Sequence, residues 1–177
     1  MKKALILHAW FQNPNLNWYP WLKNELEKKE YEVWVPELPT MPTDKPDMET
    51  MLKFILEKNF VDNDTIVIGH SLGSVLAMRL AERIGYKKGI LFAAWDYNDL
   101  TPAHQSFWQT MMDHKTILSN VEEWVFPLSE NDPYVTIAIA KEVAARLNGK
   151  VIEVGKKGHF LSKDDGVTEV PEILEFI

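Results

Sequence analysis

The residues Thr65, Ile66, Val67 and Ile68 run directly into Gly69-His70-Ser71-Leu72-Gly73, and then into an apolar pattern of helical spacing through Leu72, Val75, Leu76, Leu80 and Ile84. Strand, sharp turn and helix follow without a linker, so this stretch dictates a β-turn-α unit. A serine between two glycines at such a junction adopts a strained backbone, and the missing Cβ atoms let helix and strand approach closely while the hydroxyl is lifted clear of the sheet. The helix begins beneath that hydroxyl. Its unpaired N–H groups, that of Leu72 in particular, favour negative charge at this point. The competing reading of Ser71 is an ordinary helix N-cap, which does not require glycine on both sides.

The rest of the chain repeats the alternation. LILHAW, YEVWV, TIVIGH, GILFAAW, EEWVFPL and KVIEV are short, nearly continuous apolar runs, as expected of strands covered on both faces. Helical spacing lies between them: from Trp18 through Leu26, from Met48 through Leu56, from Leu72 through Ile84, and roughly from Pro133 to Leu147, with Val170 to Ile177 closing the chain. This order predicts βαβ units, right-handed crossovers and a mainly parallel sheet of about six strands with helices on both faces. No repeat, low-complexity tract or linker divides residues 1–177, so one domain is expected.

Two segments depart from the rhythm. Pro36 to Asp47 carries four prolines and is expected as an extended surface loop. Asp96 to Asn120 is long for a crossover and is read either as a small lid or as a helix packed on the sheet.

Composition excludes several classes. The net charge of −7, with acidic and basic residues mixed, leaves no basic stripe for nucleic acid. No window reaches the length of a membrane span, and the N-terminal LILHAWF is short and soon interrupted; a cytoplasmic enzyme is the expected placement. The absence of cysteine removes disulfides, thiolate nucleophiles and Cys-based metal sites. No Gly-x-Gly-x-x-Gly or P-loop pattern is present, and the histidines lack a His-Glu-x-x-His spacing; neither a cofactor nor a metal is expected.

A serine hydroxyl needs a base to become nucleophilic, and the base needs a carboxylate to hold its ring. Of five histidines, His8 ends the first strand, His70 lies inside the turn and His104 and His114 sit in the long segment. His159 follows the last strand in GKKGHF, where glycines permit a tight loop back to the sheet edge, and is the favoured base. The acid is sought between Ser71 and His159. Asp132 in SENDPYV is favoured, and Pro133 after it suggests that Asp132 also caps the next helix. Glu130 is its nearest rival, with Asp96 and Asp99 one strand earlier.

The order Ser, Asp, His is that of α/β-hydrolases. LILHAWFQNPNLNWYPWLKNELEKKEYEVWVPELP, IVIGHSLGS, SENDPYV and KGHF, spread over nearly the whole chain, resemble the small YdeN-like serine hydrolases related to retinoblastoma-binding protein nine. The resemblance implies a three-layer α/β-hydrolase without a large cap domain, with nucleophile Ser71, acid Asp132 and base His159. It also implies that the loop after the first strand supplies a second oxyanion donor beside Leu72. That loop reads His8-Ala9-Trp10 where many such enzymes have His-Gly, leaving Ala9 and Trp10 as candidates, with Trp10 preferred.

Trp10, Phe11, Trp95 and Trp108 fall on or beside loops at the same sheet edge and are candidate substrate contacts, although each alone also suits core packing. The chain is therefore expected to cleave small esters, or amides, through an acyl-enzyme on Ser71. Turnover should decline as pH falls through the histidine range near ~6.5. The alternative from another class is a protein-binding module on a hydrolase scaffold. A Leu-x-Cys-x-Glu pocket-binding motif is impossible without cysteine.

Overall fold

Residues covered on both faces can be apolar throughout, and the central strands are: β3 (Thr65–His70) is buried at every position and β1 (Lys3–Leu7) at all but its first. The computed structural model describes residues 1–177. The remaining strands are β2 (Glu32–Trp34), β4 (Tyr86–Phe92), β5 (Val121–Leu128) and β6 (Lys150–Glu153). All pairings are parallel, in the order β2-β1-β3-β4-β5-β6. The helices are α1 (Tyr19–Lys28), α2 (Met48–Glu57), α3 (Leu72–Ala81), α4 (His114–Asn120), α5 (Ile137–Arg146) and a single turn, α6 (Ser162–Asp165), with 3-10 segments at Pro102–Trp108 and Pro171–Phe176.

From β1 the chain steps outward to β2 and then returns past β1 to β3, so the direction of winding reverses between β1 and β3. Right-handed crossovers then put α2 to α5 on one face and α1 with the C-terminal 3-10 segment on the other. Lys29 Nζ, just after α1, accordingly donates to the carbonyl of Leu174 at 2.8 Å. The loops after β1 and β3 are neighbours at this switch point, where open parallel sheets form their crevice. No large cap covers it. No helix is long and apolar enough to cross a membrane.

Three expectations are corrected. The fourth long helix starts at Ile137 with Thr136 as its N-cap, not at Pro133, because the Asp132 carboxylate accepts from the N–H groups of Tyr134 and Val135 and closes a turn of its own. Asp132 therefore caps no helix. The proline-rich loop is not wholly superficial: Leu38 and Met41 are fully buried, and the loop braces the segment after β1 through Leu38 N–H to His8 Nε2 (3.0 Å) and Phe11 N–H to the Met41 carbonyl (3.3 Å). The third concerns the strand before the proposed oxyanion loop, which ends at Leu7 rather than at His8.

The long segment after β4 is docked rather than free. Arg79 of α3, 1% exposed, donates to the carbonyls of Phe107 (3.0 and 2.6 Å) and Thr110 (2.7 Å), and Phe107 and Ile117 are fully buried. At its start, Asp96 holds Arg146 of α5 through two 2.6 Å bonds and accepts from His114 at 2.7 Å.

Candidate active site

Ser71 sits between β3 and α3 with φ 55° and ψ −120°, a region that L-residues enter only when their surroundings force it. Two close approaches supply that force. A Cβ on Gly69 would lie 2.5 Å from Ser74 Cα, and one on Gly73 would collide with the carbonyl oxygen of Leu7. The glycines thus let the first turn of α3 rest on the end of β1. Ser71 N–H donates to the Phe92 carbonyl at 2.9 Å, which ties the turn to β4. Its side chain makes no cap bond, so the N-cap reading fails.

The hydroxyl instead donates to His159 Nε2 at 2.9 Å. On the other side of the ring, Nδ1–H donates to the Asp132 carboxylate, 2.9 Å from Oδ2 and 3.1 Å from Oδ1. That carboxylate is nearly dry, with its side chain 2% exposed, and the turn bonds from Tyr134 and Val135 hold it in place. The structure brings these three side chains together from loops far apart in sequence. Their rivals are engaged otherwise: Asp96 is taken up by Arg146 and His114, Asp99 faces His104 at 3.3 Å, and Glu130 is exposed.

The loop carrying His159 is itself fixed. Asn131 Oδ1 accepts from Gly158 N–H at 2.9 Å, Ser129 Oγ accepts from Lys157 N–H at 3.0 Å, and Glu130 N–H donates to the Gly155 carbonyl at 2.8 Å. Of the two candidate donors after β1, Ala9 N–H is committed to the Tyr19 hydroxyl at 3.1 Å, whereas Trp10 N–H has no acceptor within the protein. Leu72 N–H opens α3 and has no partner within the helix.

A cleft of about 420 Å³ opens over Ser71. Trp10 and Trp95 line it as expected candidates; Phe11 and Trp108 do not. Phe11 has φ 56° and is turned outward, 49% exposed, with its ring 4.7 Å from that of Trp10. Trp108 packs behind Trp95 and over the guanidinium of Arg79 at 5.7 Å. The Trp10 ring is held by its Nε1–H bond to the Thr43 carbonyl at 2.8 Å.

Tyr97, Asp99, His104 and Tyr134 also line the cleft, and sequence reasoning did not single them out as wall residues. Tyr134 is 72% exposed and meets the His159 ring nearly edge to face, with centroids 4.9 Å apart. Its position two residues after the acid is the one signal that pointed to it.

The comparisons agree with this architecture. A family model described as serine hydrolase matches residues 4–177. YdeN of Bacillus subtilis is 25% identical over 99% of this chain and 94% of its own length, and the serine hydrolase RBBP9 of Rattus norvegicus is 28% identical over 90% and 84%. The crystal structure of the B. subtilis ydeN gene product superposes with a TM-score of 0.86 at 25% identity, covering 99% of this chain and 96% of that one. Est1E from Butyrivibrio proteoclasticus, in a structure holding ferulic acid, shares the fold, with a TM-score of 0.77 at 13% identity over 99% and 88%. With the family match spanning all but the first three residues, the chain belongs to the serine hydrolase family.

Proposed function

We propose that this serine hydrolase cleaves small carboxylic esters, with amides as a second class, through an acyl-enzyme on Ser71. The observation that carries the reading is the continuous line of hydrogen bonds Ser71 Oγ–His159 Nε2 (2.9 Å) and His159 Nδ1–Asp132 Oδ2 (2.9 Å) at the floor of the cleft. In the first step Ser71 Oγ attacks the carbonyl carbon as its proton passes to His159 Nε2. Asp132 fixes the tautomer that leaves Nε2 free to accept and stabilises the imidazolium that results. The N–H groups of Leu72 and Trp10 receive the oxyanion, and both stand without internal acceptors in the resting protein. His159 then gives its proton to the leaving alkoxide or amine. A water, deprotonated by His159, attacks the acyl-enzyme, and collapse of the second tetrahedral species returns the proton to Ser71 and frees the acid.

The aromatic walls supplied by Trp10, Trp95, Tyr97 and Tyr134 and the modest cleft volume favour small, largely apolar acyl or alcohol groups. The test uses a fluorophosphonate label and p-nitrophenyl esters of graded chain length. Wild type should label at Ser71 and turn over the esters, and Ser71→Ala should lose both while retaining its fold. Labelling or turnover that survives in Ser71→Ala overturns the assignment.

A further inference from the structure

We propose that Tyr19 and His70 are positioning residues for this reaction: a one-way chain of buried hydrogen bonds through them locks the oxyanion loop after β1 to the loop that carries the base. The proposal rests on the reading of Ser71, His159 and Trp10 given above.

Four groups from four separate parts of the fold make the chain. Ala9 N–H meets Tyr19 Oη at 3.1 Å, Tyr19 Oη meets His70 Nδ1 at 2.6 Å, and His70 Nε2 meets the His159 carbonyl oxygen at 2.8 Å. Tyr19 and His70 are fully buried, and Trp18 and Phe160 pack against the His70 ring. Elementary chemistry allows one assignment of protons. A carbonyl only accepts, so His70 Nε2 carries hydrogen. Burial, reinforced by the neighbouring His159, pulls the His70 pKa down to about 3 and keeps the ring neutral, so Nδ1 is bare and must accept. Tyr19 O–H therefore donates to Nδ1, and its lone pair receives Ala9 N–H. Burial also pushes the phenol pKa up, so its proton stays on oxygen.

Two consequences reach the reacting atoms. With Ala9 N–H engaged, the peptide plane between His8 and Ala9 is pinned, and Trp10 N–H remains as the uncommitted donor of the two. At the other end, the His159 backbone is tethered one residue before Phe160, whose φ of 60° marks a strained turn. His70 is adjacent to Ser71 in the chain, so nucleophile, base and oxyanion loop are all referred to one imidazole. In a dry interior such linked bonds reinforce each other and lose direction together when one is removed.

Two measurements test this. In wild type labelled with nitrogen-15 histidine, NMR should show His70 as the neutral tautomer with hydrogen on Nε2; hydrogen on Nδ1 overturns the proposal even if no variant folds. Tyr19→Phe, His70→Gln and the double variant are then assayed with p-nitrophenyl butyrate, with rates expressed per site titrated by fluorophosphonate. Tyr19→Phe should lose on the order of tenfold in kcat with KM within about twofold, and the double variant should be little worse than the worse single variant. A role confined to folding would lower Tm and leave kcat per titrated site unchanged, which refutes the positioning role. Wild type that fails to label, or activity that persists in Ser71→Ala, would instead refute the assignment of the nucleophile.

Discussion

Acid should destabilise this protein well above the carboxylate range, and a single residue accounts for much of the effect. His70 is fully buried, and its pKa falls from the usual 6.5 to about 3, chiefly through burial. Its folded-state value lies below its unfolded value, so the folded form is favoured in full above pH 6.5 and loses ground as pH falls beneath it. Between those two values the unfolded chain holds one more proton at this position, and stability drops by ~1.4 kcal/mol per pH unit. At pH 5, about 1.5 units into the window, the loss is about 2 kcal/mol, a large share of the stability of a domain this size. His8, whose pKa burial also lowers, acts in the same direction. The depressed carboxylates Asp47, Asp62 and Asp113 owe their shifts first to side-chain hydrogen bonds with Thr50, Lys3 and Thr116, and they matter only below their ordinary value of 3.8. The assay is urea unfolding followed by tryptophan fluorescence at fixed salt between pH 7 and pH 5. His70→Gln should be less stable at pH 7 but should show a shallower loss towards pH 5. A loss as steep in His70→Gln as in wild type would refute the assignment of this slope to His70.

Two further outcomes follow from the site. Asp132→Asn should keep the fold and lower kcat on the order of 10³–10⁴ with little change in KM, because the amide no longer selects the tautomer that leaves His159 Nε2 free to accept from Ser71; steady-state kinetics per titrated site would check this, and near-wild-type kcat would refute it. Arg79→Met should cost about 3 kcal/mol in thermal or urea unfolding by stripping the buried carbonyl of Phe107 and the half-buried carbonyl of Thr110 of their donor, and should raise KM because the same segment carries the Asp99 and His104 wall of the cleft.

Much of the architecture was legible because it is written in local pattern. The continuous apolar runs of β3 and β5 and the helical spacing of α2 and α3 each announce themselves within ten residues, and the glycines around Ser71 specify the turn by sterics alone. Boundaries were less legible where a side chain diverted the backbone: the Asp132 carboxylate captured two N–H groups and delayed α5 to Ile137. The burial of Leu38 and Met41 was hidden by their prolines, which speak only for backbone shape. The sequence left Phe11 and Trp108 open between wall and core because aromatic character says nothing of direction; Phe11, at a positive φ, is exposed outside the cleft lining, and Trp108 packs on the core beside Arg79.

The feature least accessible to sequence is how the loops are joined. Asn17 Oδ1 accepts from Ser162 N–H at 2.8 Å, Asn131 Oδ1 holds Gly158, and His70 reaches the carbonyl of His159, with sequence separations of 145, 27 and 89. Each of these polar residues reads as a turn former or a surface residue when taken alone. Joined, they hold the loop containing His159 from three directions, so the imidazole can stay within 2.9 Å of Ser71 although no regular element supports it. A reaction that needs a base within hydrogen-bond reach of a weak alcohol demands such bracing. In a fold whose strands end beneath the site, the neighbouring Phe160 anchors this loop in the core against Phe92, and hydrogen bonds between loops supply the rest, because the cleft side of the imidazole has to remain open to substrate.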